Sequence, residues 1–255
     1  VLGANNSVLQ VNGGYTLNDG NGGNNYTVTA NTAAGTITPA ALTVGIANVS
    51  RVYDGTTGAT ATPTVLTGAL MGRDILTGGT FTFADRHVGT GKTVNVSGVV
   101  VNDGNGGNNY TLTQQANTAS TITVRPTSTW TGAAMDGLWS NPGNWDALPD
   151  ASNVLAVTIP AAASLNYDLA GTTNLQSITS AGNLGVSNGT LSIGNTLSTA
   201  GYSQTGGTLS GAGSLVVSDS FARTGGSISL GGNVSVTQAA GNLVAGGITA
   251  SAVSL

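Results

Sequence analysis

The sequence predicts an all-β protein: tandem small antiparallel β-sandwich or β-grasp-like repeats, followed by a parallel β-helix. Three observations predict it. The chain has 40 Gly, only 6% charged residues, no Glu and Lys92 as its single lysine, which leaves helices without their usual formers and supplies turns instead. Val, Ile, Leu and Thr alternate with polar residues between Gly/Asn clusters, the period of half-buried strands. The decamer NDGNGGNNYT occurs at 18–27 and again at 102–111, so the chain repeats a whole unit.

The repeat extends beyond the decamer. VTANTAAGTIT (28–38) follows the first copy and LTQQANTASTIT (112–123) the second, while VLQVNGGYTL (8–17) shares its pattern with TVNVSGVVV (93–101). Residues 1–38 therefore read as the C-terminal part of a truncated repeat, and 39–124 as a complete one. Inside the complete copy, ALTVGIANVS, TATPTVLTG, TFTFAD, KTVNVSGVVV, NYTLT and STITV are predicted strands. The signals YDGTTG, MGRD and NDGNGGNN separate them as turns. The decamer is then a hairpin loop whose Asn and Gly accept a left-handed backbone, with Tyr26 and Tyr110 opening the next strand.

Residues 125–170 hold all three tryptophans, in TWTGAAMDGLWSNPGNWDALPD, and read as a junction or cap over a core edge. Residues 171–255 return short strands between Gly pairs, with Leu191, Leu209 and Ile228 at near-constant spacing and Gly231-Gly232 echoed by Gly246-Gly247. That pattern predicts β-solenoid coils that continue beyond the chain.

Composition also excludes function classes. The net charge of −4 with no basic run argues against nucleic acid. With no cysteine there are neither disulfides nor thiolate metal sites. No apolar run approaches the ~18 residues of a transmembrane helix, and VLGANNSVLQ has no basic start or apolar core of a signal peptide. The expectation is an internal piece of a longer protein.

RVYDGTTGAT (51–60), with the later GNNYTLT and STIT, resembles the YDG domain of large bacterial exoproteins. The matching residues are Tyr53-Asp54-Gly55-Thr56-Thr57 and Asn109-Tyr110-Thr111, covering 39–124 fully and 1–38 in part. The stretch from TWTG through WSNPGNW to VTIP resembles the start of β-helical passenger regions in filamentous-haemagglutinin-like and autotransporter-type adhesins of Gram-negative bacteria. The resemblance implies a secreted or cell-surface protein engaged in adhesion or aggregation. It also implies an outer-membrane secretion partner for the parent protein, and host or bacterial surface glycans or matrix proteins as ligands. It supplies no binding residues.

Candidate sites follow from residue chemistry. Tyr53 and Asp54 could present a ring and a carboxylate to a ligand, or form a turn in which Asp54 bonds its own backbone. Trp130, Trp139 and Trp145 could stack on sugar rings, or cover the end of a core. Asp19 and Asp103 are weak calcium candidates, since each loop offers one carboxylate where calcium sites gather several; no metal site and no cofactor are expected. Catalysis is not expected either. His87 is the only histidine, no GxSxG occurs, and 171–255 holds one acid, Asp219, and one base, Arg223. The sequons at Asn5, Asn25, Asn48, Asn95, Asn109, Asn188 and Asn233 suit the composition without further cause. Thr-x-Thr pairs form no regular array of the ice-binding kind, and GRD (72–74) is not the RGD tripeptide. Two readings stand: an adhesive module, or a passive stalk that displays a distal adhesive region. A carbohydrate-active β-helix enzyme is a remote third.

Overall fold

The computed structural model describes residues 3–161, 163–237 and 248–254. Among them the fold is all-β, and the one helical element is a single 3-10 turn at Pro142–Asn144. No helix among these residues is long and apolar enough to cross a membrane. The chain forms two compact units. The first comprises Val1–Ala47, Thr60–Phe81 and Asn95–Asn117; the second comprises Asn48–Ala59, Thr82–Val94 and Thr118–Leu255.

The first unit begins with an antiparallel pair, β1 (Gly3–Leu9) and β2 (Ala33–Ile37), in the register Ser7↔Gly35 and Leu9↔Ala33. The complete repeat supplies β3 (Ala40–Ile46), β4 (Ser50–Val52), β5 (Pro63–Thr67), β6 (Ile75–Phe83), β7 (Gly89–Asn102), β8 (Tyr110–Gln114) and β9 (Asn117–Thr123). β3 and β5 to β9 overlap the six predicted segments, whereas β4 is a separate short strand where ALTVGIANVS predicts a single one. They form a three-stranded sheet in the order β5-β3-β8 and a four-stranded sheet in the order β4-β9-β7-β6. The sheets are mixed rather than wholly antiparallel: β3 pairs β8, and β4 pairs β9, in parallel. Parallel partners need a long crossover, and the intervening strands provide it. Leu42, Val44 and Ile46 alternate into the core of the first unit, where Phe81, Val99, Val101 and Tyr110 are also buried.

The second unit is dominated by a parallel β-solenoid. Its strands are β10 (Arg125–Thr129), β11 (Val154–Ile159), β12 (Ser164–Tyr167), β13 (Thr172–Ser180), β14 (Asn183–Val186), β15 (Thr190–Gln204) and β16 (Thr208–Gly211). They continue as β17 (Ser214–Arg223), β18 (Ser227–Leu230), β19 (Val234–Val236), β20 (Ile248–Thr249) and β21 (Val253–Ser254). One ladder runs β10-β11-β13-β15-β16-β18-β20, and the strands off it pair in parallel as well. The spaced leucines stack directly: Leu191 lies opposite Leu209, and Leu209 opposite Ile228. All three are buried, each worth roughly 1.5–3 kcal/mol by removal from water. A parallel row, Leu197, Leu215 and Val234, lines the same interior. Tyr202 stacks on Phe221 with ring centres 5.6 Å apart. Gly207 turns a corner at φ +62°, where a Cβ would stand 2.5 Å from the Asn188 carbonyl oxygen.

Parallel pairing already begins at Arg125, which lies opposite Val154, so the tryptophan-bearing segment is enclosed between the first two strands of the ladder. Gly246-Gly247 and Leu255, expected to mark a corner and a continuing coil, lie outside the described residues.

Candidate functional site

The Tyr-Asp-Gly turn sits in the second unit, directly after β4, and each residue has a separate task. Tyr53 continues the β4–β9 pairing, its N–H donating to the Thr123 carbonyl at 2.9 Å. Its side chain is fully buried. The hydroxyl donates to the Leu148 carbonyl at 2.9 Å and lies 3.2 Å from Asp150 Oδ1. Burial pushes this phenol well above its ordinary pKa, and the Asp150 carboxylate adds to the effect, so the hydroxyl remains a donor. Asp54 closes the turn: its Oδ1 accepts from the Thr56 N–H at 2.8 Å and the Thr56 hydroxyl at 2.9 Å, and Arg51 pairs with its other oxygen. Burial would raise this carboxyl, but the two Thr56 donors and Arg51 outweigh it and hold it below the usual aspartate range. Gly55 has φ +81°, a conformation that side chains other than glycine's resist.

The partner of this turn is the segment 147–153. Arg86 pairs with Asp150. Asn153, buried, accepts from the Val88 N–H at 2.9 Å, and its amide nitrogen lies 2.9 Å from His87 Nδ1 and donates to Asp150 at 2.5 Å. From the other side, Trp139 Nε1 donates to the Pro149 carbonyl at 2.8 Å. Tyr53 and Trp139 thus hold adjacent carbonyls of one short stretch.

All three tryptophans are buried, Trp139 completely. The rings of Trp139 and Trp145 lie 4.6 Å apart, those of Trp130 and Trp145 4.9 Å, and Tyr167 meets Trp139 edge-on at 5.3 Å. Trp145 Nε1 donates to the Trp139 carbonyl at 2.8 Å, so two of the buried indole N–H groups are satisfied within the cluster's own loop. Asn144, also buried, ties the loop through Asp136, the Leu138 carbonyl and the Ala134 N–H. Asp146 accepts from the Ser128 hydroxyl at 2.7 Å and the Thr129 N–H at 3.0 Å and pairs with Arg125. No tryptophan face is open to a pyranose, and Tyr53 presents no ring to solvent.

The two decamer loops share one internal design. Asp103 accepts from the N–H groups of Asn105, Gly107 and Asn109 at 2.8, 2.8 and 3.0 Å. Asp19 does the same with Asn21, Gly23 and Asn25 at 2.9, 2.7 and 3.2 Å. The N–H of Gly23, then that of Asn21, lowers the Asp19 pKa. For Asp103, burial raises it but the three N–H groups prevail. Each calcium candidate is therefore committed to its own backbone. The tyrosines differ: Tyr110 is buried, donating to Asp74 at 2.6 Å and accepting from the Met71 N–H at 2.7 Å, whereas Tyr26 is exposed.

The structure joins Tyr53 and the tryptophan cluster through the segment 147–150 but leaves Asp19 and Asp103 in separate turns. Arg86, Asp150 and Asn153 complete the arrangement, and nothing local in the sequence marks them, because their partners lie some 60 or more residues away. A family model, the YDG domain, matches residues 38–120. No curated protein and no solved structure gives a significant match to the chain.

Proposed function

We propose that this chain is a stalk-type segment of a secreted or cell-surface adhesin-like exoprotein of a Gram-negative bacterium, in which a YDG domain is fastened to a β-solenoid and a distal region does the adhering. The observation that carries this reading is the burial of Tyr53, Trp130, Trp139 and Trp145. The residues best suited to grip a glycan or matrix protein are spent on internal contacts. The YDG motif is, in this reading, a fastening: its tyrosine is the bolt and the 147–153 segment the seat. No catalysis is assigned. His87 serves the same fastening, and Asp219 and Arg223 are the sole acid and base of residues 171–255.

Two measurements test the reading. The folded 255-residue chain, applied to glycan and matrix-protein arrays, is expected to give no saturable binding; saturable binding abolished by an exposed-residue substitution would return the adhesive module to first place. Antibodies against the chain are expected to label intact producing cells. Labelling only after permeabilisation removes the surface location.

A further inference from the structure

The sequence holds four Asn-Gly pairs, at 12–13, 21–22, 105–106 and 188–189. Asparagine before glycine is the least hindered setting for one spontaneous reaction, attack of the glycine nitrogen on the side-chain amide carbon, because the glycine has no Cβ in the way. The structure treats the pairs differently. In the decamer loops the side-chain amide is held in a bond of its own: Asn105 Nδ2 donates to Asn109 Oδ1 at 3.0 Å, and Asn21 Nδ2 to Asn25 Oδ1 at 3.0 Å. The main-chain N–H groups of Asn105 and Asn21 are taken by Asp103 and Asp19. Their carbonyls accept from the side chains of Asn108 and Asn24. Each of these asparagines is thus pinned at three points.

Asn188 is placed otherwise. It is exposed, at the corner between β14 and β15. The Gly189 N–H donates to the Asn188 side-chain oxygen, Oδ1, at 2.9 Å. The amide carbon, one bond from that oxygen, is therefore already turned toward the nitrogen that attacks it, and such positioning lowers a barrier by sparing the search for geometry. The flanking N–H groups carry the ladder: Ser187 donates to the Tyr167 carbonyl at 3.0 Å and Thr190 to the Gly171 carbonyl at 2.9 Å. Loss of the Gly189 proton leaves both bonds in place. The departing group is held loosely, since Asn188 Nδ2 reaches the Asp168 carbonyl only at 3.4 Å.

We infer that Asn188 is a self-modification site, at which the folded solenoid converts asparagine to aspartate and isoaspartate with water as the sole co-reactant. The Gly189 nitrogen gives its proton to water and bonds to the Asn188 Cγ; the Cγ–Nδ2 bond breaks, and Nδ2 takes up a proton and leaves as ammonia. One water then opens the cyclic imide at either carbonyl. Opening at one carbonyl gives aspartate, which fits the corner. Opening at the other gives isoaspartate, which lengthens the main chain by a methylene. The corner has no room for that. A Cβ on Gly189 would stand 2.1 Å from the Leu169 carbonyl oxygen, and one on Gly207 2.5 Å from that of Asn188, so the main chain here is packed between the coils on either side. The site makes one coil corner a record of the protein's age, while the decamer loops are built to resist the same reaction. The inference goes beyond the stalk reading and does not depend on it.

The test ages the whole chain in mildly alkaline buffer and follows each pair by peptide mapping, with mass spectrometry that separates asparagine, aspartate and isoaspartate. Asn12 is the reference for an unrestrained pair, being exposed and followed by a glycine with nothing within 4 Å of its Cβ position. Asn188 is expected to convert on the timescale of Asn12 and at least about tenfold faster than Asn21 and Asn105, the scale of a positioning effect. In urea the four rates are expected to converge; a difference that persists there would overturn the structural cause. The isoaspartate fraction of the aged chain is expected to unfold at lower urea than fresh chain, by far-ultraviolet circular dichroism. Asn188→Asp, which adds the charge without lengthening the main chain, is expected to shift the midpoint less; an equal shift overturns the packing argument. Conversion at Asn188 as slow as at Asn105, while Asn12 converts, overturns the inference itself.

Discussion

Tyr53 illustrates how much one hydroxyl can hold. Its ring fills a closed space and its oxygen satisfies the buried carbonyl of Leu148. Tyr53→Phe keeps the ring but leaves that carbonyl without its donor, an expected loss of about 1–2 kcal/mol. Tyr53→Ala also opens a cavity, for an expected loss of about 3–5 kcal/mol. Urea unfolding followed by tryptophan emission separates the two; equal effects would mean that the hydroxyl contributes nothing. Asp146 makes a prediction in pH. Burial would raise its carboxyl, but Ser128, Thr129 and Arg125 together hold it below the ordinary value of 3.8. A depressed folded pKa contributes stability that is present above 3.8 and disappears as pH falls through the lower, folded value. The urea midpoint is therefore expected to hold steady from pH 7 down to about 5 and to fall below about 4. Asp146→Asn is expected to shrink that acid-side fall; an unchanged profile places its cause elsewhere.

At the scale of elements, the solenoid combines tolerance and intolerance. Outward positions on its strands are mostly polar and make side-chain contacts between coils, such as that of Thr208 with Ser227 at 3.1 Å, whereas corners are sterically fixed. Gly207→Ala would put a methyl against the Asn188 carbonyl at a positive φ. An expected loss of about 1–3 kcal/mol follows from the strained backbone alone. Trp139→Ala removes the most enclosed ring of the cluster together with its bond to Pro149. It is expected to cost about 3–5 kcal/mol and to abolish most near-ultraviolet circular dichroism while the far-ultraviolet strand signal persists. These elements were also the most legible part of the sequence. Leu191, Leu209 and Ile228 could be aligned by spacing because a coil repeats its register, and those residues do stack. Six of the seven strands of the complete repeat were equally visible, since alternation is a local signal, but the three residues of β4 are too few to show one. The parallel pairing of β3 with β8 was not, because nothing in either strand encodes its distant partner. The seat of Tyr53 was hidden for the same reason: a buried tyrosine and a ligand-facing one have the same letters, and only Leu148 and Asp150, far along the chain, decide between them.

For the whole molecule, the division into two compact units sets an expectation for unfolding. A solenoid is stabilised by contacts between neighbouring coils, so damage at Trp139 or Gly207 belongs to the second unit. Calorimetry is expected to show two transitions, with both substitutions lowering one and leaving the other in place. A single transition that shifts as one would mean that the units melt together. The sequence reading reached this scale only in outline. It placed a β module before a solenoid because composition changes along the chain. It could not show that residues 48–59 and 82–94 of the YDG repeat belong with the solenoid, since that assignment rests on contacts that span most of the chain.

The tryptophan cluster has one more consequence, an optical one. Every indole in the protein lies within this knot of rings, at centre separations of 4.6–4.9 Å between neighbours. Such neighbours share their excited states, so the chain carries its own chromophore at the start of the solenoid. Emission excited at long wavelength reports that spot and is blind to the decamer loops and to the strands of the first unit. Tyrosine emission, from Tyr26 and Tyr110 among others, carries the remaining information. Because Tyr53, Tyr167 and Tyr202 lie in the second unit and Tyr15, Tyr26 and Tyr110 in the first, tyrosine emission averages over both units, and the tryptophan band reads one place in the unmodified protein.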